Sequence, residues 1–172
     1  MRLSLVFAGL SLIFLLGTSA LAQEPIHISA NLRGFSEVPS KFTAGTATFR
    51  ATIDQTAQTI TFTMTFSNLT GPPTASHIHF AQISVNGGIQ VFFCDGTGHT
   101  ACPTTASGTI SGTVHAADVI DAGQGIGAGD FNDLVKAILA GKTYVNIHTV
   151  KFPGGEIRGQ ITASDDFGED DR

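Results

Sequence analysis

The sequence predicts an all-β fold: an antiparallel, immunoglobulin-like β-sandwich or barrel with one short amphipathic helix late in the chain. Three observations carry this. Short segments alternate apolar and polar residues with period two, which marks strands with one buried and one wet face. Turn residues separate them, with 20 Gly and 6 Pro in 172 residues, and about seven such strands suit a sandwich. The chain has 13 Phe and no Trp, so Phe, Ile, Val and Leu are expected to fill the core.

In chain order, residues 26–35 form the first strand candidate, ended by Pro39, which cannot donate to a ladder. Residues 45–54 set Ala47, Phe49, Ala51 and Ile53 against Thr46, Thr48, Arg50 and Thr52. Residues 59–67 place Ile60, Phe62, Met64 and Phe66 on one face and four Thr on the other, where β-branched residues suit an exposed strand face. Pro72 and Pro73 break the chain before residues 75–80, in which His77 and His79 share one face and Ile78 and Phe80 the other. Residues 89–93 and 108–115 are further strands. The glycine-rich segment 123–129 lacks the strand-to-helix setting of a dinucleotide site and reads as a linker. Residues 130–140 form the helix: Phe131, Leu134, Val135, Ile138 and Leu139 make its apolar stripe. Asp130 is the expected N-cap and Gly141 the left-handed C-terminal residue.

Residues 143–161 read as a β-hairpin, turned by Phe152-Pro153-Gly154-Gly155 with positive φ expected at Gly154. Facing residues of an antiparallel pair point to the same side of the sheet. Parity therefore sets His148 opposite Glu156, Asn146 opposite Arg158, Tyr144 opposite Gln160, and Ile147 opposite Ile157 on the core side. The outer row, Tyr144, Asn146, His148, Glu156 and Arg158, is far more polar than solubility requires and is the candidate binding face.

The ends of the chain have a different character. Arg2, the apolar run 3–16 and Ala20-Leu21-Ala22 make an export signal over residues 1–22. That run is too short to span a bilayer, and no transmembrane segment is expected after cleavage. Residues 23–164 then form one domain, and the acidic residues 165–172 a solvated, disordered tail. The protein is expected to be secreted or periplasmic. Its formal charge is −5, and with no basic patch it is not expected to bind nucleic acid. Cys94 and Cys102 are the only cysteines, and in an exported chain they are expected to form a disulfide that staples a local loop.

Three motifs together resemble the chordin-type (CHRD) domain. They are Leu32-Arg33-Gly34-Phe35-Ser36-Glu37-Val38-Pro39, Ser76-His77-Ile78-His79, and Tyr144-Val145-Asn146-Ile147-His148-Thr149 followed by Pro153-Gly154-Gly155-Glu156-Ile157-Arg158-Gly159-Gln160. The resemblance implies an extracellular or periplasmic immunoglobulin-like barrel or sandwich. In chordin the domain belongs to a secreted antagonist of growth-factor signalling, a role that does not carry over to this stand-alone chain.

His77 and His79 stand on one strand face about 6.6 Å apart, and with His148 on a neighbouring strand three imidazoles converge. Such a set can hold Cu or Zn, with Glu156 as a partner that orients His148. It is similar in style to three copper ligands of the copper/zinc superoxide dismutases. The His-rich zinc loop of that family has no counterpart, and the spare histidines His99 and His115 sit in no recognisable motif. The ordinary role of such histidines is structural, through hydrogen bonds to Asn146, Glu156 and backbone carbonyls. No nucleophile–base–acid set or Gly-x-Ser-x-Gly motif is present. The sequence thus points to a secreted, non-enzymatic binding module for an unknown protein or small ligand. A Cu/Zn metalloprotein, of superoxide-dismutase type at its most specific, is the alternative.

Overall fold

The structure is a computed structural model that describes residues 24–95 and 100–164. The segment expected to be an export signal, residues 1–22, the acidic residues 165–172 and His99 lie outside the described residues. Nine strands form one antiparallel sheet: β1 (Ile26–Arg33), β2 (Thr46–Asp54), β3 (Thr59–Ser67), β4 (Pro73–Phe80), β5 (Gly88–Cys94), β6 (Gly108–His115), β7 (Thr143–Thr149), β8 (Ile157–Gln160) and β9 (Thr162–Ser164). Their order is β5-β4-β7-β8-β1-β2-β3-β6, with β9 also paired to β1. The edge strands β5 and β6 come back into contact, so the sheet nearly closes into a barrel.

Phenylalanine seals that closure. Phe93 of β5 stacks on Phe62 of β3 with ring centroids 4.1 Å apart and on Phe49 of β2 at 5.6 Å. The alternation read from β2 and β3 holds at every core position: Ala47, Phe49, Ala51, Ile53, Ile60, Phe62, Met64 and Phe66 are all buried. Each buried large side chain contributes about 1.5–3 kcal/mol. The Thr row of β3 faces solvent and pairs laterally with β6, as in Thr61 Oγ1 to Thr113 Oγ1 at 3.4 Å.

The single described α-helix, α1 (Phe131–Leu139), buries Phe131, Leu134, Val135 and Ile138, while Leu139, expected in the stripe, is 46% exposed. Asp130 occupies the N-cap position, but its carboxylate makes no capping bond to α1. It instead accepts the Gly127 N–H at 3.1 Å, closing the loop before the helix. Gly141 takes φ +66° as expected. Pro73, expected to precede β4, is its first residue, a position where a missing N–H costs no ladder bond.

Candidate functional site

The site is built on β4, β7 and β8, which lie side by side. The ladder sets His77 opposite Asn146, His79 opposite Tyr144 and Ala75 opposite His148. On the other side of β7, Asn146 faces Arg158, Tyr144 faces Gln160 and Ile147 faces Ile157. Parity then sends Ile78, Val145, Ile147 and Ile157 into the core, where all are fully buried. It sends the His, Asn, Tyr and Arg residues to the outer face.

That outer face is not a surface, contrary to expectation. Arg158 is 2% exposed, Asn146 and Tyr144 3%, His77 5% and His79 8%. Loop segments cover it and supply its hydrogen bonds. Arg158 Nη2 donates to Val85 O at 2.6 Å and Nη1 to Asn86 Oδ1 at 3.1 Å. Gln160 Nε2 donates to Ala81 O and Gly141 O, each at 2.9 Å. A second, polar core therefore lies outside the barrel wall. Through it runs a stack: the Arg158 guanidinium sits 3.4 Å from the centroid of the Tyr144 ring, and Tyr144 lies parallel to His79 at 4.6 Å. Desolvation makes such a cation–π contact worth about 2 kcal/mol or more.

His79 and its neighbours converge. The ring of His77 lies 5.4 Å from His79 and 5.0 Å from His148, and one nitrogen from each of the three falls within 4.8 Å of the others. Two carbonyls fix the tautomers. His79 Nδ1 donates to Gly87 O and His148 Nδ1 to Pro153 O, both at 2.9 Å, because a carbonyl can only accept. Burial pushes the His79 pKa down to about 4, against the pull of the Gly87 carbonyl, and lowers that of His148. Both rings are neutral at pH 7, so each Nε2 carries a lone pair. That of His79 lies 3.2 Å from Asn146 Oδ1, and since an oxygen cannot donate to it, the Asn146 amide is assigned the flipped orientation, with its N–H donating to His79 Nε2. That of His148 is buried with no hydrogen-bond partner.

Glu156 is elsewhere. The expected pairing with His148 is not a ladder pair, since β8 begins at Ile157 and parity holds only inside the ladder. Positive φ is taken by Gly155 (+117°), not by Gly154, and the chain turns there before β8. The Glu156 carboxylate then accepts Thr43 Oγ1 (2.6 Å), Thr149 Oγ1 (2.6 Å), Thr70 Oγ1 (2.7 Å) and the Thr70 N–H (2.9 Å). Burial alone would raise its pKa, but these four donors outweigh it and the pKa is lowered. Glu156 ties three loops together, and Pro153 O, not Glu156, orients His148.

Sequence reasoning attached no chemistry to Glu37, although it lies in the first motif. It is 4% exposed, and burial pushes its pKa up to about 7 despite the Val38 N–H and the nearby Arg158 and Lys41. A Cβ on Gly155 would run into its carboxylate, which is why the close approach needs Gly there. Glu37 lines a cleft of about 460 Å³ between residues 35–40 and residues 83–84, floored by Arg158 and Gln160. Phe35 and Ile83 at its rim are 72% and 69% exposed. Asn86 Nδ2 donates to Val38 O at 3.1 Å and joins the two loops.

Cys94 and Cys102 are disulfide-bonded. No helix among the described residues is long and apolar enough to cross a membrane. The family model of the CHRD domain matches residues 28–161. The chain belongs to the CHRD domain family. No curated protein and no solved structure matches it. His115, one of the spare histidines, closes β6 at the far end of the strand order from β4.

Proposed function

We propose that this CHRD domain is exported and acts as a non-enzymatic binding module, taking an apolar side chain of a polypeptide partner into the cleft beside Glu37. The observation that carries this is the rim. Phe35 and Ile83 are large, apolar and more than two-thirds exposed on either side of one cleft, and Phe42, 90% exposed, lies 6.0 Å from Phe35. Contiguous exposed apolar groups rimmed by polar ones mark interaction sites. Arg158 of the polar row holds residues 85–86 in place and also floors the cleft, so the partner meets the loops and this one member of the row. The disulfide suits an oxidising compartment, secreted or periplasmic.

A phage-displayed peptide library panned on the mature protein and on a Phe35→Ser/Ile83→Ser variant tests this. The wild type should enrich peptides sharing an aromatic or branched apolar anchor, and the variant should not. No enrichment, or the same peptides on both proteins, overturns the reading. The convergence of His77, His79 and His148 favours a second reading, binding of a metal ion such as Cu or Zn.

A further inference from the structure

We propose that His77, His79 and His148 form a three-imidazole site for one late first-row divalent ion, Zn²⁺ or Cu²⁺, separate from the cleft. Three features of the molecule converge on it. The three side chains come from two adjacent strands, so the sheet itself sets their spacing. Two of them have the tautomer a ligand needs: Nδ1 is committed to Gly87 O or Pro153 O, so Nε2 is the nitrogen available to an ion, unpartnered on His148 and turned to Asn146 on His79. Metal-bound histidines almost always donate their second nitrogen in this way, commonly to a backbone carbonyl. The third feature is the Nε2 atom of His148, buried with no hydrogen-bond partner. Such an orphaned acceptor costs about 1–3 kcal/mol, and a cation in the cluster would satisfy it.

The donor set selects the ion. Three neutral nitrogens with no thiolate or carboxylate suit Zn²⁺ or Cu²⁺ and exclude Ca²⁺ and Mg²⁺, which require oxygen. Ligand nitrogens on a tetrahedral ion with bonds of about 2.0–2.1 Å stand about 3.3–3.4 Å apart, closer than the 4.8 Å limit of the present cluster. The rings must therefore draw together as the ion enters, and Asn146 must give up its contact with His79. Three protein ligands leave a coordination position for water or a small anion.

Metal-stripped, tag-free mature protein titrated separately with Zn²⁺ and Cu²⁺ by calorimetry should bind one ion. A His79→Asn/His148→Asn variant keeps a donor near Gly87 O and Pro153 O but removes both Nε2 ligands. Outer-shell losses alone cost about 10–100-fold in affinity, so this variant should bind more than about 100-fold more weakly. Should it fail to fold, nitrogen NMR of the wild-type imidazoles decides: Zn²⁺ should shift Nε2 of His79 and His148 together with one nitrogen of His77. Equal affinity in folded wild type and variant, or imidazole nitrogens unmoved by saturating Zn²⁺, overturns the site. Calcium serves as the control and should give no heat.

Discussion

The outer faces of β2–β3–β6 and of β4–β7–β8 began from the same pattern and ended in opposite environments. Both walls alternate, and both send their apolar rows inward. The first wall presents Thr, Arg and Ser to water, and the hydrogen bonds made along it, such as Thr46 Oγ1 to Ser67 Oγ at 3.2 Å, are exposed. The second wall carries His, Asn, Tyr and Arg under a cover of loops, where Arg158, Gln160 and the Nδ1 atoms of His79 and His148 each have a specific partner and His148 Nε2 has none. A polar row is a surface only where nothing packs on it. Where loops cover it, each polar atom needs a partner or costs free energy. That difference separates an open, wet sheet face from a buried polar cluster.

Mutations should measure the contrast, and the largest effect belongs to the knot at the end of the covered wall. Glu156→Ala removes the acceptor of four hydrogen bonds and strands three Thr hydroxyls, so it should cost about 3–5 kcal/mol in urea unfolding. Thr63→Ala, on the exposed face of β3, should stay within about 0.5 kcal/mol. Similar costs for the two would erase the distinction between the walls.

Next is Arg158→Met, which keeps the stem but leaves Val85 O and Asn86 without their donor. A loss of about 2–4 kcal/mol is expected, together with faster amide hydrogen exchange across residues 81–87. Unchanged exchange there would mean the loop does not depend on the buried guanidinium.

The two buried glutamates should respond to pH with opposite sign. Glu37 has a folded pKa of about 7, above the usual 4.5. The folded state holds that proton more tightly than the unfolded chain. Its contribution to stability is therefore full below about pH 4.5 and is lost as pH rises to about 7. Glu37→Gln should remove this loss and raise the unfolding free energy at pH 8 by roughly 2 kcal/mol after allowing for screening, read as a higher melting temperature, with little gain at pH 4.5. Glu156 has a lowered pKa, so its contribution is present above the usual carboxyl range and is lost as pH falls through and below it. A Glu37→Gln gain that is equal at both pH values would remove the buried charge as its cause.

Two further tests probe the loop staple and the turn. Cys94→Ser/Cys102→Ser should cost about 2–3 kcal/mol from the chain entropy of so short a loop. Gly155→Ala, at φ +117° and against Glu37, should cost about 1–3 kcal/mol. Gly154→Ala has open space around its Cβ and should cost almost nothing. Equal costs at the two glycines would show that Glu37 does not press on the turn.

Much of the site was legible because the hairpin motif fixes parity: Asn146–Arg158, Tyr144–Gln160 and Ile147–Ile157 follow from counting along two strands. His148–Glu156 did not follow, because it lies beyond the last ladder pair, where Gly155 turns the chain. Asp130 likewise sat at the right position but spent its carboxylate on Gly127, a choice made by loop geometry that periodicity cannot register.

By itself, the sequence determined the all-β class, nearly every strand, the helix, the disulfide, the CHRD relationship and which residues share a face. Each depends on local periodicity, turn chemistry or a contiguous motif. Tertiary structure decided that the strands close into one barrel-like sheet, that β4 lies beside β7, and that residues 81–87 and 35–40 cover the polar wall. It also decided that Glu37 is buried and Glu156 is a loop knot. Burial depends on what packs against a face, and even the covering residue Asn86 lies 72 residues from Arg158 in sequence. Alternation along a strand says which side chains face together. It is silent on whether water or another part of the chain meets them.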